Sequence, residues 1–313
     1  MLVKIFLETA GNFEEREILT KFYNGIVKSA NENTQVAIEL YNSYTPCDIG
    51  VIFGSWKPRD RNHHNVRNDI VENAPKFIVL ETPLLNRIVN QQNKQYRVGI
   101  DGFLNHSGVF NNGQHKDTRL KKLKIAWEGW YHNPDGHILL MLQLPGDASL
   151  RGINLYEWVN YTIKKIRSQT DRPIVIRTHP GHTIKDSDEF HNLVSSVTLS
   201  GAISNISFSI GRHKPFANDI KGAFCSVAYT SGSSIDSIMH GVPTLTADPG
   251  NFAWDISSHY TEEIEDIKFA SNEEVSQWLN NLSYSQWSPE EMQNGTVWKH
   301  LTRLLNTDTG DEE

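Results

Sequence analysis

The sequence predicts an α/β protein of two domains, each made of βαβ units around a parallel sheet, facing one another across a cleft. Three observations predict it. The chain has 313 residues, more than one compact core usually holds. Short β-branched runs alternate with amphipathic stretches, the pattern of parallel strands joined by crossover helices. The alternation also breaks once, at the turn-rich "WEGWYHNPDG" (127–136), and then restarts. The predicted division is residues 1–130, residues 131–287, and a C-terminal helix with an acidic tail, 288–313, free to cross back to the first domain.

In the first half, "LVKIFLET" (2–9), "QVAIELY" (35–41), "DIGVIFG" (48–54), "KFIVLET" (76–82) and "YRVGIDG" (96–102) read as strands. "NFEEREILTKFYNGIVKSA" (12–30) reads as a helix, with Asn12 as N-cap and Glu14 and Glu15 in the first turn. Further helices are expected near 63–73 and over 117–130. In the second half, strands are expected at 137–145, 172–180, 205–211, 224–230 and 243–248. Helices are expected at 154–170, 272–282 and 288–305, the last with Ser288 as cap and Pro289 at N1.

Composition narrows the class. Hydrophobic content is 38% and charged content 21%, ordinary for a soluble enzyme. No apolar run approaches the ~20 residues of a bilayer span, so no stable membrane anchor is expected. Cys47 and Cys225 lie far apart in apolar segments and read as buried free thiols of a cytoplasmic protein. The net charge of −7 argues against a surface that grips nucleic acid all over. One local exception is "WKPRDRNHHNVR" (56–67), which gathers Lys57, Arg59, Arg61 and Arg67 with His63 and His64. No Asp-x-Asp pair follows a strand, and adjacent histidines on a helix point apart, so no metal is expected.

The chemistry gathers in the second half. Residues 228–249, "AYTSGSSIDSIMHGVPTLTADP", pack a small-residue turn, a short helix and a Gly-Val-Pro break into one run. Ser231, Gly232, Ser233 and Ser234 fall at the cap and first turn, where unpaired N–H groups and hydroxyls suit a phosphate. Gly232 lets a ligand approach the backbone. "RPIVIRTHPGH" ends a strand in Arg177, His179 and Pro180, a cation and an imidazole able to face the same anion. "LQLPGDASLRG" (142–152) adds Gln143, Asp147, Ser149 and Arg151 after another strand.

The order Q-x-x-x-D, strand-H-P and T-S-G-S-x-x-D-x-x-x-x-G-x-P resembles the nucleotide-sugar half of GT-B glycosyltransferases. It is most similar to the capsule polysaccharide (Kdo-transferase-like) group. Asp236 stands where that group typically carries Glu. "VLETPLLNRI" (79–88) and "YRVGIDGFLNHSGVF" (96–110) resemble patches of the same group's first domain. The resemblance implies two Rossmann-like domains, the first binding acceptor and the second binding a nucleotide-sugar. It implies a UDP-sugar donor, with a CMP-sugar as the alternative and no obligate metal. Donor contacts would come from Gln143, Asp147, Arg177, His179, Ser231, Gly232, Ser233, Ser234 and Asp236.

Transfer also needs a carboxylate and a cleft that excludes water. Glu81 and Asp101, both expected at carboxyl ends of first-domain strands, are candidates, with Glu8 a third. Two acceptors compete. One is hydroxymethylated cytosine in bacteriophage DNA, with Trp56, Lys57, Arg59, His63, Arg67 and Phe103 contacting phosphates or a flipped base. The chain's brevity leans towards it. The other is a cell-surface polysaccharide or glycolipid. A non-catalytic sugar- or nucleotide-binding protein is a third reading.

Overall fold

The computed structural model describes residues 1–7, 13–40, 43–57, 62–87, 94–181, 191–193, 195, 197 and 205–307, with the backbone alone at 62–64 and 307. The chain divides into two compact units. One is Met1–Ile125 with Gln277–Glu313, and the other is Ala126–Ser276.

The first unit begins β1 (Leu2–Leu7), α1 (Phe13–Ser29), β2 (Gln35–Leu40), β3 (Ile49–Phe53), α2 (Asn62–Asn73), β4 (Lys76–Glu81), β5 (Tyr96–Ile100) and α3 (Thr118–Lys122). The second unit holds β6 (His137–Met141), α4 (Leu155–Arg167), β7 (Ile174–Arg177), β8 (Ile206–Ser209), α5 (Phe216–Ile220), β9 (Ala223–Ala228), α6 (Ser233–Met239) and β10 (Thr244–Thr246). The chain then forms α7 (Asn272–Ser283), β11 (Gln286–Trp287), α8 (Pro289–Gln293) and α9 (Thr296–Thr307).

The first sheet has the order β11-β5-β4-β3-β1-β2. Strands β1 to β4 pair in parallel, whereas β5 runs antiparallel to β4, and β11 antiparallel to β5. Ile49–Ile52 are buried without interruption, as parallel strands covered on both faces require. Ile5, Val51 and Ile78 pack with Phe22 of α1 and with Trp298 and Leu301 of α9. Each such side chain contributes roughly 1.5–3 kcal/mol on burial, so the C-terminal segment is part of this core. Arg119 fastens it further. Its guanidinium donates to Glu291 at 2.8 and 2.9 Å and to the carbonyls of Ser283 and Gln286, and lies over the Trp287 ring.

The second sheet has the order β10-β9-β6-β7-β8, parallel throughout. One face packs Ile138, Leu140 and Ile176 against Val159, Ile163 and Ile166 of α4. The other packs Leu139 and Met141 against Ile220 and Val242.

Two expected helices are cut short. The one predicted over 117–130 stops at Lys122 because Lys124 takes a left-handed φ of 54°. Trp127 and Trp130 then donate their indole N–H groups to the carbonyls of Ile238 and Ala270. The one predicted over 288–305 is two helices, parted at Asn294 and Gly295, where Gly295 has φ 86°. Cys47 and Cys225 are buried free thiols. Among the described residues no helix is long and apolar enough to cross a membrane.

Candidate functional site

In a doubly wound sheet, ligands bind outside the carboxyl ends of the strands where the strand order reverses. In the second unit that point lies between β6 and β9. The two strands are neighbours, paired from Ile138–Cys225 to Met141–Ala228, and the segments that follow them diverge. Gln143 ties those segments together. Its Nε2 donates to Thr230 Oγ1 at 2.9 Å and to Ser149 Oγ at 2.5 Å, and its Oε1 accepts from the Thr230 N–H at 3.1 Å. The side chain is 6% exposed, so Gln143 floors the site and has no face left for a donor. Asp147, partly exposed, turns Oδ1 onto its own loop, accepting from Ser149 N at 2.9 Å and Ser149 Oγ at 2.5 Å.

The turn Thr230–Ser233 leads from β9 into α6. Ser231, Gly232 and Ser233 are partly exposed. The hydroxyls of Ser231 and Ser233 stand 2.7 Å apart. Ser234 differs from the expectation: it is fully buried, donates to the Ser231 carbonyl and accepts from Asn251 Nδ2 at 2.8 Å. It is a packing residue, leaving the cradle with Ser231, Gly232 and Ser233. Asp236 is partly exposed in the first turn of α6, where its carbonyl lies 2.8 Å from His240 Nδ1.

Arg177 does not reach out to an anion. Its guanidinium is buried, paired with Asp219, and donates to the carbonyls of Gly211 and Lys214. Asp219 also accepts from Ser209 Oγ at 2.5 Å and pairs with Lys214 at 2.5 Å. These cations and the hydroxyl outweigh burial and hold the Asp219 carboxyl below its usual range. His179, half-buried, accepts from the Gly181 N–H through Nδ1 at 3.0 Å, which leaves the proton of the neutral ring on Nε2.

The first unit separates the predicted carboxylates. Glu81 ends β4, at the carboxyl edge of the parallel strands. It accepts from the Ser55 N–H at 3.0 Å and from Thr82 N–H at 2.9 Å, with Arg97 at 3.7 Å. Burial lowers Arg97 to about 10, against the raising influence of Glu81. Asp101 was expected at the same edge. Because β5 is antiparallel, with Arg97 opposite Glu81 and Ile100 opposite Ile78, Asp101 emerges at the other edge. There it accepts from the Phe77 N–H at 2.9 Å and pairs with Lys76 at 3.0 Å. Glu8 lies outside the described residues.

The acceptor residues scatter in role. Arg67 is buried and donates to the Ser55 carbonyl at 2.9 Å, bracing the β3–α2 connection. Phe103 is 8% exposed and edge-packed with Trp56, which is partly exposed and also meets Phe77; the buried Phe103 ring offers no open face to a flipped base. The carbonyl of Lys57 accepts from Asn68. Arg59 and the side chain of His63 lie outside the described residues. Among the described residues, no group of three His, Cys, Asp or Glu is placed to hold a metal.

Two residues absent from the sequence reading support the turn. Asn251, fully buried, donates to the carbonyls of Tyr229 and Ser231 and to Ser234 Oγ. Asp248 pairs with Arg151 and accepts from the Tyr229 hydroxyl at 3.0 Å. Both belong to "DPGN" (248–251), whose composition signals a turn but not its partners.

No protein-family model matches the sequence, and no curated protein matches it. Among solved structures, the KpsC β-Kdo 2,7 transferase of Thermosulfurimonas dismutans matches over 96% of this chain and 99% of its own, with a TM-score of 0.50 at 11% identity. The fold is GT-B. The β-Kdo 2,4 transferase of the same KpsC matches over 91% of this chain and 90% of its own, at TM-score 0.46 and 13% identity. Anabaena HepE, in complex with UDP and glucose, matches over 99% and 100% at 0.37 and 9%.

Proposed function

We propose that this GT-B chain is a glycosyltransferase that moves a sugar from a nucleotide-sugar to a hydroxyl of a glycan or glycolipid. The observation that carries it is the switch point between β6 and β9. There the Thr230–Ser233 turn presents two adjacent hydroxyls and the Gly232 backbone over a floor closed by Gln143. A diphosphate set on such a turn is held by N–H and O–H donors, which also receive the charge that grows as the nucleotide departs. A UDP-sugar is the donor we favour.

Likeness over nearly the whole length to a structure titled β-Kdo 2,7 transferase supports a carbohydrate acceptor. Of the six residues named for DNA, Arg67 and Phe103 are buried in the fold, which favours the glycan acceptor. Of the carboxylates, Glu81 ends β4 and Glu8 follows β1 in sequence, and one of these two is our candidate for base or nucleophile.

A donor panel tests the proposal. UDP-, GDP- and CMP-sugars are assayed for hydrolysis, and for transfer to glycolipid and to hydroxymethylated DNA. Turnover of a UDP-sugar with a glycan acceptor is expected. Transfer to DNA alone would reverse the acceptor, and inertness towards every donor would remove the transferase.

A further inference from the structure

Tyr229–Ser234 is gripped from two sides by buried carboxamides. Gln143 takes both the N–H and the hydroxyl of Thr230. Asn251 takes the carbonyls of Tyr229 and Ser231, at 3.1 and 3.3 Å, and the Ser234 hydroxyl at 2.8 Å. Its own Oδ1 accepts from the Ala253 N–H at 3.0 Å, which fixes the orientation of the amide. Asn251 is 0% exposed. Its two amide hydrogens therefore serve three oxygens of one short segment. A carboxylate could not replace it, because an acceptor would then face two backbone carbonyls.

We infer that Asn251 is a positioning residue for nucleotide-sugar binding, holding the Thr230–Ser233 turn in its binding shape before the ligand arrives. The inference rests on the proposed function above. A turn ordered in advance spares the ligand the cost of ordering it. The same amide explains why β10 and its following loop belong to the site: they reach the strand-end turn through Asn251 and, beside it, through Asp248 to Tyr229.

The test is calorimetric titration with UDP-glucose, whose diphosphate carries a constant charge from pH 5 to 8, on wild type, N251D and N251S. Melting curves first establish that each variant is folded. N251D is expected to bind at least tenfold more weakly at pH 8. The deficit should narrow towards pH 5, as the buried acid takes up a proton and becomes a donor again. N251S, which keeps one donor, should fall between. A purely structural role would leave the ratio to wild type independent of pH. Should N251D be unfolded, N251S carries the test: affinity equal to wild type overturns the inference. Equal affinities for all three proteins at every pH overturn it too, while leaving the transferase reading intact. Wild type that binds neither UDP-glucose nor any other nucleotide-sugar of the panel removes both.

Discussion

Asp101 accepts a hydrogen bond from the backbone N–H of Phe77 at 2.9 Å. Phe77 lies at the start of β4 and Glu81 at its end. Four residues of strand, roughly 13 Å at about 3.3 Å per residue, separate the two carboxylates that the sequence pairs. They cannot share one reaction centre. Asp101 instead closes the β4–β5 ladder in a left-handed conformation, φ 58°. D101N, which keeps the acceptor oxygen and tolerates that φ, should retain turnover within about twofold. D101V, which tolerates neither, should lower stability by ~1–3 kcal/mol in a urea titration.

Glu81 is the partner of a buried cation. Removing it takes a carboxylate away from Arg97, whose side chain is 11% exposed. E81L should therefore destabilise the first unit by about 3 kcal/mol, and E81L/R97L should recover part of that loss. E81Q keeps an acceptor oxygen for only one of the two backbone donors, since Ser55 N–H meets Oε1 and Thr82 N–H meets Oε2; once a melting curve establishes that it is folded, its single-turnover rate reports any role in chemistry. Comparison with E8Q decides between the two remaining carboxylates.

Arg177 and Asp219 form a buried pair, with Asp219 fully enclosed. D219A should cost the second unit about 3–5 kcal/mol, the usual penalty of an unpaired buried charge. The double variant R177M/D219L should be far milder. Nucleotide affinity per folded molecule should be unchanged in the double variant, because the guanidinium never reaches the turn. A tenfold loss of affinity there would return Arg177 to the donor site.

Acid should loosen the C-terminal clasp first. His300 is packed against Trp287 and Tyr284, its Nε2 lies 3.2 Å from the Phe110 carbonyl, and the cations Arg119 and Arg303 and the ring of His115 are near it. Burial lowers it from 6.5 to about 4. The folded state thus disfavours the proton that the unfolded chain accepts at about pH 6.5. Its contribution is complete above pH 6.5 and is lost as pH falls towards 4, on the order of 3 kcal/mol. Glu291, drawn down to about 2 by Arg119, Lys122 and the Ser288 N–H against the effect of burial, adds a second loss below about pH 4.5. Denaturation midpoints measured from pH 7 to 4 should fall for wild type and fall less for H300Q.

Much of the fold was legible in the sequence. The alternation of β-branched runs and amphipathic stretches located β1 to β10, because continuous apolar runs are what doubly covered parallel strands require. Direction was not legible. "YRVGI" (96–100) is buried throughout, Arg97 included, and nothing in it announces that β5 runs backwards, a reversal that moved Asp101 to the other edge. Residue type located Ser231, Gly232 and Ser233, but type alone could not tell an outward hydroxyl from the buried one of Ser234, or a floor amide such as Gln143 from a ligand contact. Asn251 stands twenty positions beyond Ser231, a pairing made only by the fold. The two-residue strand β11, which seats Gln286 against the N–H groups of Leu84 and Leu85 at 2.9 and 2.8 Å, is too short to carry a periodic signal.

The Thr230–Ser233 turn is the centre of the account, and a crystal of the protein soaked with UDP tests it most directly. The diphosphate should lie within hydrogen-bond distance of the Ser231 and Ser233 hydroxyls and the Gly232 backbone, and S231A/S233A should weaken UDP about tenfold or more. A nucleotide seated elsewhere, with the turn unoccupied at saturating UDP, would contradict it.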